Sequence, residues 1–301
     1  MNMLEKALEK ALEKAKKNES TVKGEKILSE KLKKNNSDNS LFVEQFAKPE
    51  EVESNKIKKN IDKVRFNWDY LNDNGFIRLD QSHNIIAEEF RSIKRPLVTN
   101  ALGSRKRDIK NANLILITSS IPGEGKTFTS INMALSIAAE MDTKVLLIDA
   151  DVAKPSISKV LGIKPNLGLI DFLETDELSM ADIILETEIP GLRIIPAGKR
   201  HKFSTELLAS DKMIALSQEL SERYSDRIVI FDSPPLLATT QAEVLASQMG
   251  QVILVVSAET TPQQFVMESV KKLQSCSDVV LTLLNKAQRS LNAGYYGYGH
   301  Y

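Results

Sequence analysis

Cysteine occurs once in the 301 residues, as Cys276, and histidine three times. An internal disulfide is therefore impossible, and too few soft ligands remain for a structural zinc site, so small stapled folds are excluded and a reducing compartment fits. Excess charge of either sign is also missing. Forty Lys plus Arg against forty Asp plus Glu leave a formal net charge of 0, so no overall field draws the chain onto nucleic acid, and none is expected among its partners. No apolar run approaches the roughly 18 residues of a membrane span, and the lysine-rich start lacks the apolar stretch of a signal peptide. A cytoplasmic chain is expected. Aromatics make up 6%, with Tyr occurring six times. What is present is 42% hydrophobic side chains, enough for one or two domains with a substantial core, which excludes a disordered chain.

The first 60 residues stand apart, with 14 Lys, no Arg, 11 Asp plus Glu and only Phe42 and Phe46 as aromatics. Residues 4–15 repeat Leu-Glu-Lys-Ala, which puts Leu4, Leu8 and Leu12 one helical turn apart. The spacing predicts an amphipathic helix over 1–17, either solvated or docking on a partner or membrane surface. Residues 18–60 are too polar to pack and read as a linker. The cluster Phe66, Trp68, Tyr70, Leu71 and Phe76, followed by a helix from about His83 to Lys94 with Pro96 near its end, predicts a helical oligomerisation or docking segment over 61–110. From Leu114 short aliphatic runs alternate with helical stretches, at 114–118, 145–148, 192–195, 228–231, 252–256 and 279–284. Such runs mark a parallel sheet covered on both faces, so residues 111–290 are expected to form a doubly wound α/β domain of the P-loop NTPase type. Residues 291–301 form a separate glycine- and tyrosine-rich tail.

Directly after the first run comes Ser119-Ser120-Ile121-Pro122-Gly123-Glu124-Gly125-Lys126-Thr127, leading into a helix near Phe128. Binding nucleotide phosphates requires small residues where the backbone wraps the anion, a lysine on the β/γ-phosphates, a hydroxyl on Mg²⁺ and a helix N-terminus beneath. Ser120, Pro122, Gly123, Glu124, Gly125, Lys126, Thr127 and Phe128 are accordingly the expected ATP-binding residues, with Ser120 where a P-loop has its first glycine. Two carboxylates, Asp149 and Asp151, end the second run, and Asp232-Ser233-Pro234-Pro235 ends the fourth in the manner of a Walker B motif. Carboxylates at those strand ends lie where such sheets bind ligands, and one or two of them suffice to hold Mg²⁺.

Four of the six tyrosines, Tyr295, Tyr296, Tyr298 and Tyr301, fall in the last seven residues, spaced by Gly297 and Gly299. Core tyrosines would be spread through the chain; these suit an accessible phosphoacceptor segment. With Pro122–Thr127, Asp149–Asp151, Asp232–Pro235 and this cluster together, the sequence resembles the bacterial tyrosine kinases of capsule and exopolysaccharide synthesis over about residues 83–301. It looks closest to the stand-alone autokinases of exosortase-type loci. The resemblance implies a protein-tyrosine kinase using ATP and Mg²⁺ and phosphorylating the tail tyrosines in trans within a ring-like homo-oligomer. It further implies a cytoplasmic chain recruited to the inner face of the membrane by a membrane-spanning chain-length determinant, its activator, with a tyrosine phosphatase as antagonist.

By the same resemblance, Lys126, Asp149 and Asp151 are the catalytic group, Thr127, Asp149 and Asp232 the metal ligands, and Asn285 an adenine contact. The family's Glu-x-x-Arg-x-x-Arg oligomerisation motif appears as Glu88, Arg91 and Lys94, and its Arg two residues after the Asp-x-Asp pair is Ala153 here, followed by Lys154. A tyrosine hydroxyl titrates near pH 10, so a carboxylate must orient it and accept its proton, Asp149 first and Asp151 second. Two other readings remain: an ATP-dependent spatial switch of the partition or septum-placement type, whose signature lysine position is occupied by Ile121, and a non-catalytic ATP-binding adaptor.

Overall fold

The computed structural model describes residues 63–78, 85–140, 142–164 and 167–288. The helix expected over 1–17, the linker over 18–60 and the tyrosine tail lie outside the described residues. A short helix α1 (Trp68–Asp73) and a long helix α2 (Ile85–Leu102) precede β1 (Leu114–Ser119) and α3 (Lys126–Ala138). Then come β2 (Lys144–Asp149), α4 (Ile157–Leu161), α5 (Leu169–Glu174), α6 (Met180–Ile183), β3 (Leu185–Glu186) and β4 (Leu192–Ile195). The remaining elements are α7 (Ser204–Leu208), α8 (Asp211–Glu222), β5 (Arg227–Asp232), α9 (Gln241–Ala246), β6 (Gln251–Ser257), α10 (Gln263–Gln274) and β7 (Val280–Asn285).

The strands form one seven-stranded sheet in the order β3-β4-β2-β5-β1-β6-β7, parallel except for the antiparallel pair β3–β4. The six aliphatic runs are six of these strands, and the doubly wound α/β fold is as expected. The seventh, β3, is two residues long and has no run to announce it. Alternation along the strands splits the core in two. Ile115, Ile117, Val145, Leu147, Ile228 and Ile230 face α3 and α2, whereas Leu114, Leu116, Leu146, Ile148, Val229 and Phe231 face α8, α9 and α10.

The segment before β1 is part of this core. Val64 bridges Thr187, and the Phe66 amide and the Trp68 indole both donate to Glu188 Oε1, at 2.8 and 2.9 Å. Phe66, Leu71, Phe76, Phe90 and Leu97 are buried with the α3 face of the sheet. The described residues fall within one compact unit, so those between 63 and 102 share the core of the P-loop domain. The helix expected to end near Pro96 runs through it to Leu102. A proline inside a helix costs about 3 kcal/mol, offset here by burying Leu97 and Ala101 completely. Polar bonds add to this: Asn100 Nδ2 donates to Gln251 Oε1 at 2.9 Å, and Gln251 Nε2 donates to the Leu97 and Ala112 carbonyls at 3.2 and 2.6 Å.

Leu97→Ala is expected to cost about 2–5 kcal/mol in one cooperative urea transition. A separate early transition for the segment before β1, with the sheet left intact, would contradict the shared core.

Candidate active site

The loop from Ile121 to Gly125 leaves β1 and feeds α3. Gly123 and Gly125 have φ of 89° and 99°, a region other residues enter only with strain. A Cβ on Gly125 would also come within 2.1 Å of Asn285 Nδ2. The first intrahelical bond at this end runs from Thr129 to the Gly125 carbonyl, so the amides of Lys126, Thr127 and Phe128 precede it and are available to an anion.

Glu124, expected to contact ATP, turns its side chain inward and is 2% exposed. Its carboxylate accepts from the Ile121 amide at 2.7 Å, the Ser257 amide at 3.3 Å and the Thr261 hydroxyl. Asn285 Nδ2 donates to the Glu124 carbonyl at 2.8 Å, and Lys286 Nζ to the Gly123 carbonyl at 2.7 Å. Asn285, read as an adenine contact, is thus placed as a brace of the phosphate loop. The Phe128 ring packs into the core between Phe76 and Phe90, with centroids 5.0 and 6.3 Å away, which leaves only its backbone for phosphate. Ser120 is fully buried with its hydroxyl unpartnered, and Pro122 is at the exposed tip of the loop.

The acids meet here as well. Asp149 and Asp232 end adjacent parallel strands in direct register. Asp149 Oδ2 accepts the Ser156 and Ile157 amides at 3.1 and 3.0 Å, while its Oδ1 is buried without a partner. Asp232 accepts from the Thr127 hydroxyl at 2.7 Å and the Ser130 hydroxyl at 2.9 Å. Thr127 and Ser156 hydroxyls are 2.9 Å apart. Lys126 Nζ lies 2.8 Å from Asp151 Oδ2, and the Lys154 amide caps Asp151 Oδ1 at 3.0 Å. Ser130, Ser156, Ser257 and Thr261 were not singled out by their spacing; only Ser156, placed after Pro155 at a helix start, carries a local signal.

Burial, reinforced by the Asp232 charge, pushes the Asp149 carboxyl up to about 8 against the pull of its two amides. Burial also raises Asp232, against the opposing Lys126 charge. An orphaned carboxylate oxygen beside a second carboxylate and a hydroxyl is a set of hard oxygen donors that fits Mg²⁺. Among the described residues no group of three or more His, Cys, Asp or Glu forms a protein-only metal cage. Mg²⁺ takes one or two carboxylates and completes its shell with water and phosphate oxygens.

The expected subunit-contact triplet is split. Glu88 and Arg91 are exposed on α2 and paired with each other. Lys94, however, is 6% exposed, donates to the Ser136 carbonyl and lies 3.0 Å from Glu140 Oε1. Both partners lie on or just beyond α3, so Lys94 anchors α2 within its own subunit, since a buried ammonium needs partners at hand. The four tail tyrosines lie outside the described residues.

Asp149, raised to about 8, and Asp232, raised to about 6, keep protons in the fold to higher pH than in an unfolded chain, which releases them near about pH 4. Their contribution to stability is therefore full below that pH and is lost as pH rises toward 8. Thermal melts without Mg²⁺ or nucleotide should show Tm falling from pH 5 to pH 8, and Asp149→Asn should flatten much of that slope. A Tm that rises over this range would contradict the assignment.

A family model described as an AAA domain matches residues 112–289. The tyrosine-protein kinase Ptk of Acinetobacter johnsonii is 35% identical over 221 residues, covering 73% of this chain and 28% of that protein. YwqD of Bacillus subtilis, also a tyrosine-protein kinase, is 30% identical over 224 residues, covering 73% of this chain and 90% of that one. The chain therefore spans under a third of the first of these relatives and most of the second. Among solved structures, the kinase domain of the Escherichia coli tyrosine kinase ETK superposes with a TM-score of 0.63 at 27% identity, covering 75% of this chain and 85% of that one. Both matches extend over about three quarters of this chain, and the chain belongs to the bacterial tyrosine kinase family.

Proposed function

We infer that the chain is an ATP-dependent protein-tyrosine autokinase. It transfers the γ-phosphoryl group to Tyr295, Tyr296, Tyr298 and Tyr301 of a neighbouring copy and so regulates exopolysaccharide or capsule synthesis or chain length. The observation that carries this reading is the convergence of Lys126, Thr127, Asp149, Asp151 and Asp232 at one sheet edge, on a chain whose family members are named tyrosine kinases.

Phosphoryl transfer needs positioning and charge stabilisation more than covalent chemistry. The free amides at the start of α3 and the Lys126 ammonium supply both. Asp151 holds Lys126 in place and keeps its charge compensated until phosphate oxygens take over. Bound Mg²⁺ would neutralise the β- and γ-phosphate oxygens, with Thr127, Asp232 and Asp149 as the residues to hold it. Asp149 is also the carboxylate best suited to orient the tyrosine hydroxyl and take its proton. Without a cation its carboxyl stays protonated near neutrality, so it would take the hydroxyl proton only after its own has been displaced by bound Mg²⁺. Asp151, tied to Lys126, is the second choice.

The exposed Glu88–Arg91 face of α2 is the proposed contact in a ring-like homo-oligomer, without Lys94. The proposed partners are a membrane-spanning chain-length determinant as activator, which recruits this chain to the inner face of the membrane, and a tyrosine phosphatase as antagonist. The spatial-switch alternative has less support, because Ile121 puts an apolar side chain where that class needs an ammonium.

Purified protein with ATP and Mg²⁺ is expected to accumulate phosphotyrosine. Lys126→Met should slow this roughly 10²–10³-fold, and Phe at all four tail positions should remove the acceptor signal. No phosphotyrosine, even with the activator's cytoplasmic segment present, would overturn the reading.

A further inference from the structure

The loop after β4 carries Lys199-Arg200-His201-Lys202-Phe203, which the machinery above does not use. β4 lies beside β2 and parallel to it, with Ile195 opposite Ile148. The loop therefore leaves the same sheet edge as Asp149, one strand spacing of about 4.8 Å away at its root. Both ends are fixed. At the start, the Lys199 amide donates to the buried Asp171 at 3.2 Å. At the far end, Gln241 Nε2 donates to the Thr205 hydroxyl at 2.9 Å, which ties α7 to α9, the helix that follows the Walker B segment.

Between these anchors the charges sort into two groups. Lys199 is 2.5 Å from Glu174 and 3.9 Å from Asp171, so its charge is compensated locally, and His201 Nε2 lies 3.5 Å from Glu174. Arg200 and Lys202 are exposed and form no ion pair among the described residues. Lys202 Nζ sits 5.3 Å from the Phe203 ring centroid, and that ring is 52% exposed and 6.0 Å from His201. A phenylalanine left in solvent beside the Lys202 ammonium, on a loop that also carries the exposed Arg200, is a surface suited to an aromatic group that carries negative charge. Phosphotyrosine has that chemistry: the ring packs on Phe203, and a phosphate of −1.5 to −2 charges meets a guanidinium fork and an ammonium.

We propose that Arg200, Lys202 and Phe203 form a phosphotyrosine-reading subsite that engages an already phosphorylated tail tyrosine of a neighbouring copy and holds the tail while a further tyrosine enters the transfer site. The inference rests on the autokinase reading. It names a device for multiple phosphorylation of one tail, with the tail of a second copy as occupant. The tail has no acidic side chain, so each phosphotyrosine adds roughly −1.5 to −2 charges where no side chain was negative before.

Two measurements test it. Fluorescent nine-residue peptides with the sequence of residues 293–301, either unmodified or phosphorylated on one tyrosine, are titrated onto the full chain with Phe at its own four tail positions. The phosphopeptide is expected to bind at least tenfold tighter, and the advantage should disappear in Arg200→Ala/Lys202→Ala, with unmodified-peptide binding unchanged. Equal affinities, or a preference that survives the double substitution, would overturn the subsite. So would displacement by an equimolar amount of inorganic phosphate, which would make it a general anion site.

The second measurement follows phosphates per chain by intact mass. The double variant, with its tail intact, should match the initial rate of the unaltered chain but accumulate singly phosphorylated product. Unchanged progression to multiply phosphorylated chains would contradict the proposal. Total absence of phosphotyrosine in the unaltered chain would refute the kinase reading itself, whereas the peptide titration needs no activity.

Discussion

Buried negative charge governs this molecule. Parallel pairing of β2 with β5 brings Asp149 and Asp232 side by side at the strand ends, both fully buried, with Asp151 2% exposed next to them. Carboxylates so placed must be protonated, paired or bound to a cation. The chain supplies one ammonium, from Lys126 to Asp151, two amides to Asp149 and two hydroxyls to Asp232. These donors come from the start of α3 and the start of α4, so the position of both helices follows from the need to satisfy the acids. One oxygen, Asp149 Oδ1, still has no partner. The deficit in donors is also what fits the site to a divalent cation and a transferable proton.

The phosphate loop is held from the opposite side by a second polar system. Glu124 ties the loop to the end of β6 and to Thr261 just before α10, and Asn285 and Lys286 tie it to the end of β7. Loop shape therefore depends on strands far from it in sequence. A displacement of β6 would reach Lys126 through the Glu124 carboxylate, and one of β7 through the Glu124 and Gly123 carbonyls. Small residues in the loop reflect this packing as much as the ligand: Gly125 leaves room for Asn285 as well as for phosphate.

The strands and the nucleotide motifs were legible because their signals are local. Aliphatic runs of four to six residues mark β1, β2 and β4–β7, and Pro122–Thr127 follows a strand and opens a helix. What stayed hidden lies in pairs distant along the chain. Lys94 looks like a solvated residue of an amphipathic helix, and its burial depends on Ser136 and Glu140, which no periodicity reveals. Glu124 looks like a loop acid facing ligand, yet two of its three donors, Ser257 and Thr261, are more than 130 residues away. The helix through Pro96 was read as ending there because local rules favour a stop, and tertiary burial of Leu97 and Ala101 overrides them. Integration of residues 63–102 into the core rests on Glu188, about 120 residues beyond the groups it accepts from.

The central claim is that the charge-balanced site of one copy modifies the tail of another. Mixing two inactive variants tests it most directly: Lys126→Met with its four tail tyrosines intact, and a chain with an intact phosphate loop but Phe at all four tail positions. Incubated together with ATP and Mg²⁺ and resolved by mass, the Lys126→Met chain should gain phosphate at residues 295–301 while each variant alone gains none. An unmodified Lys126→Met chain, under conditions where the unaltered protein phosphorylates itself, would contradict transfer between copies.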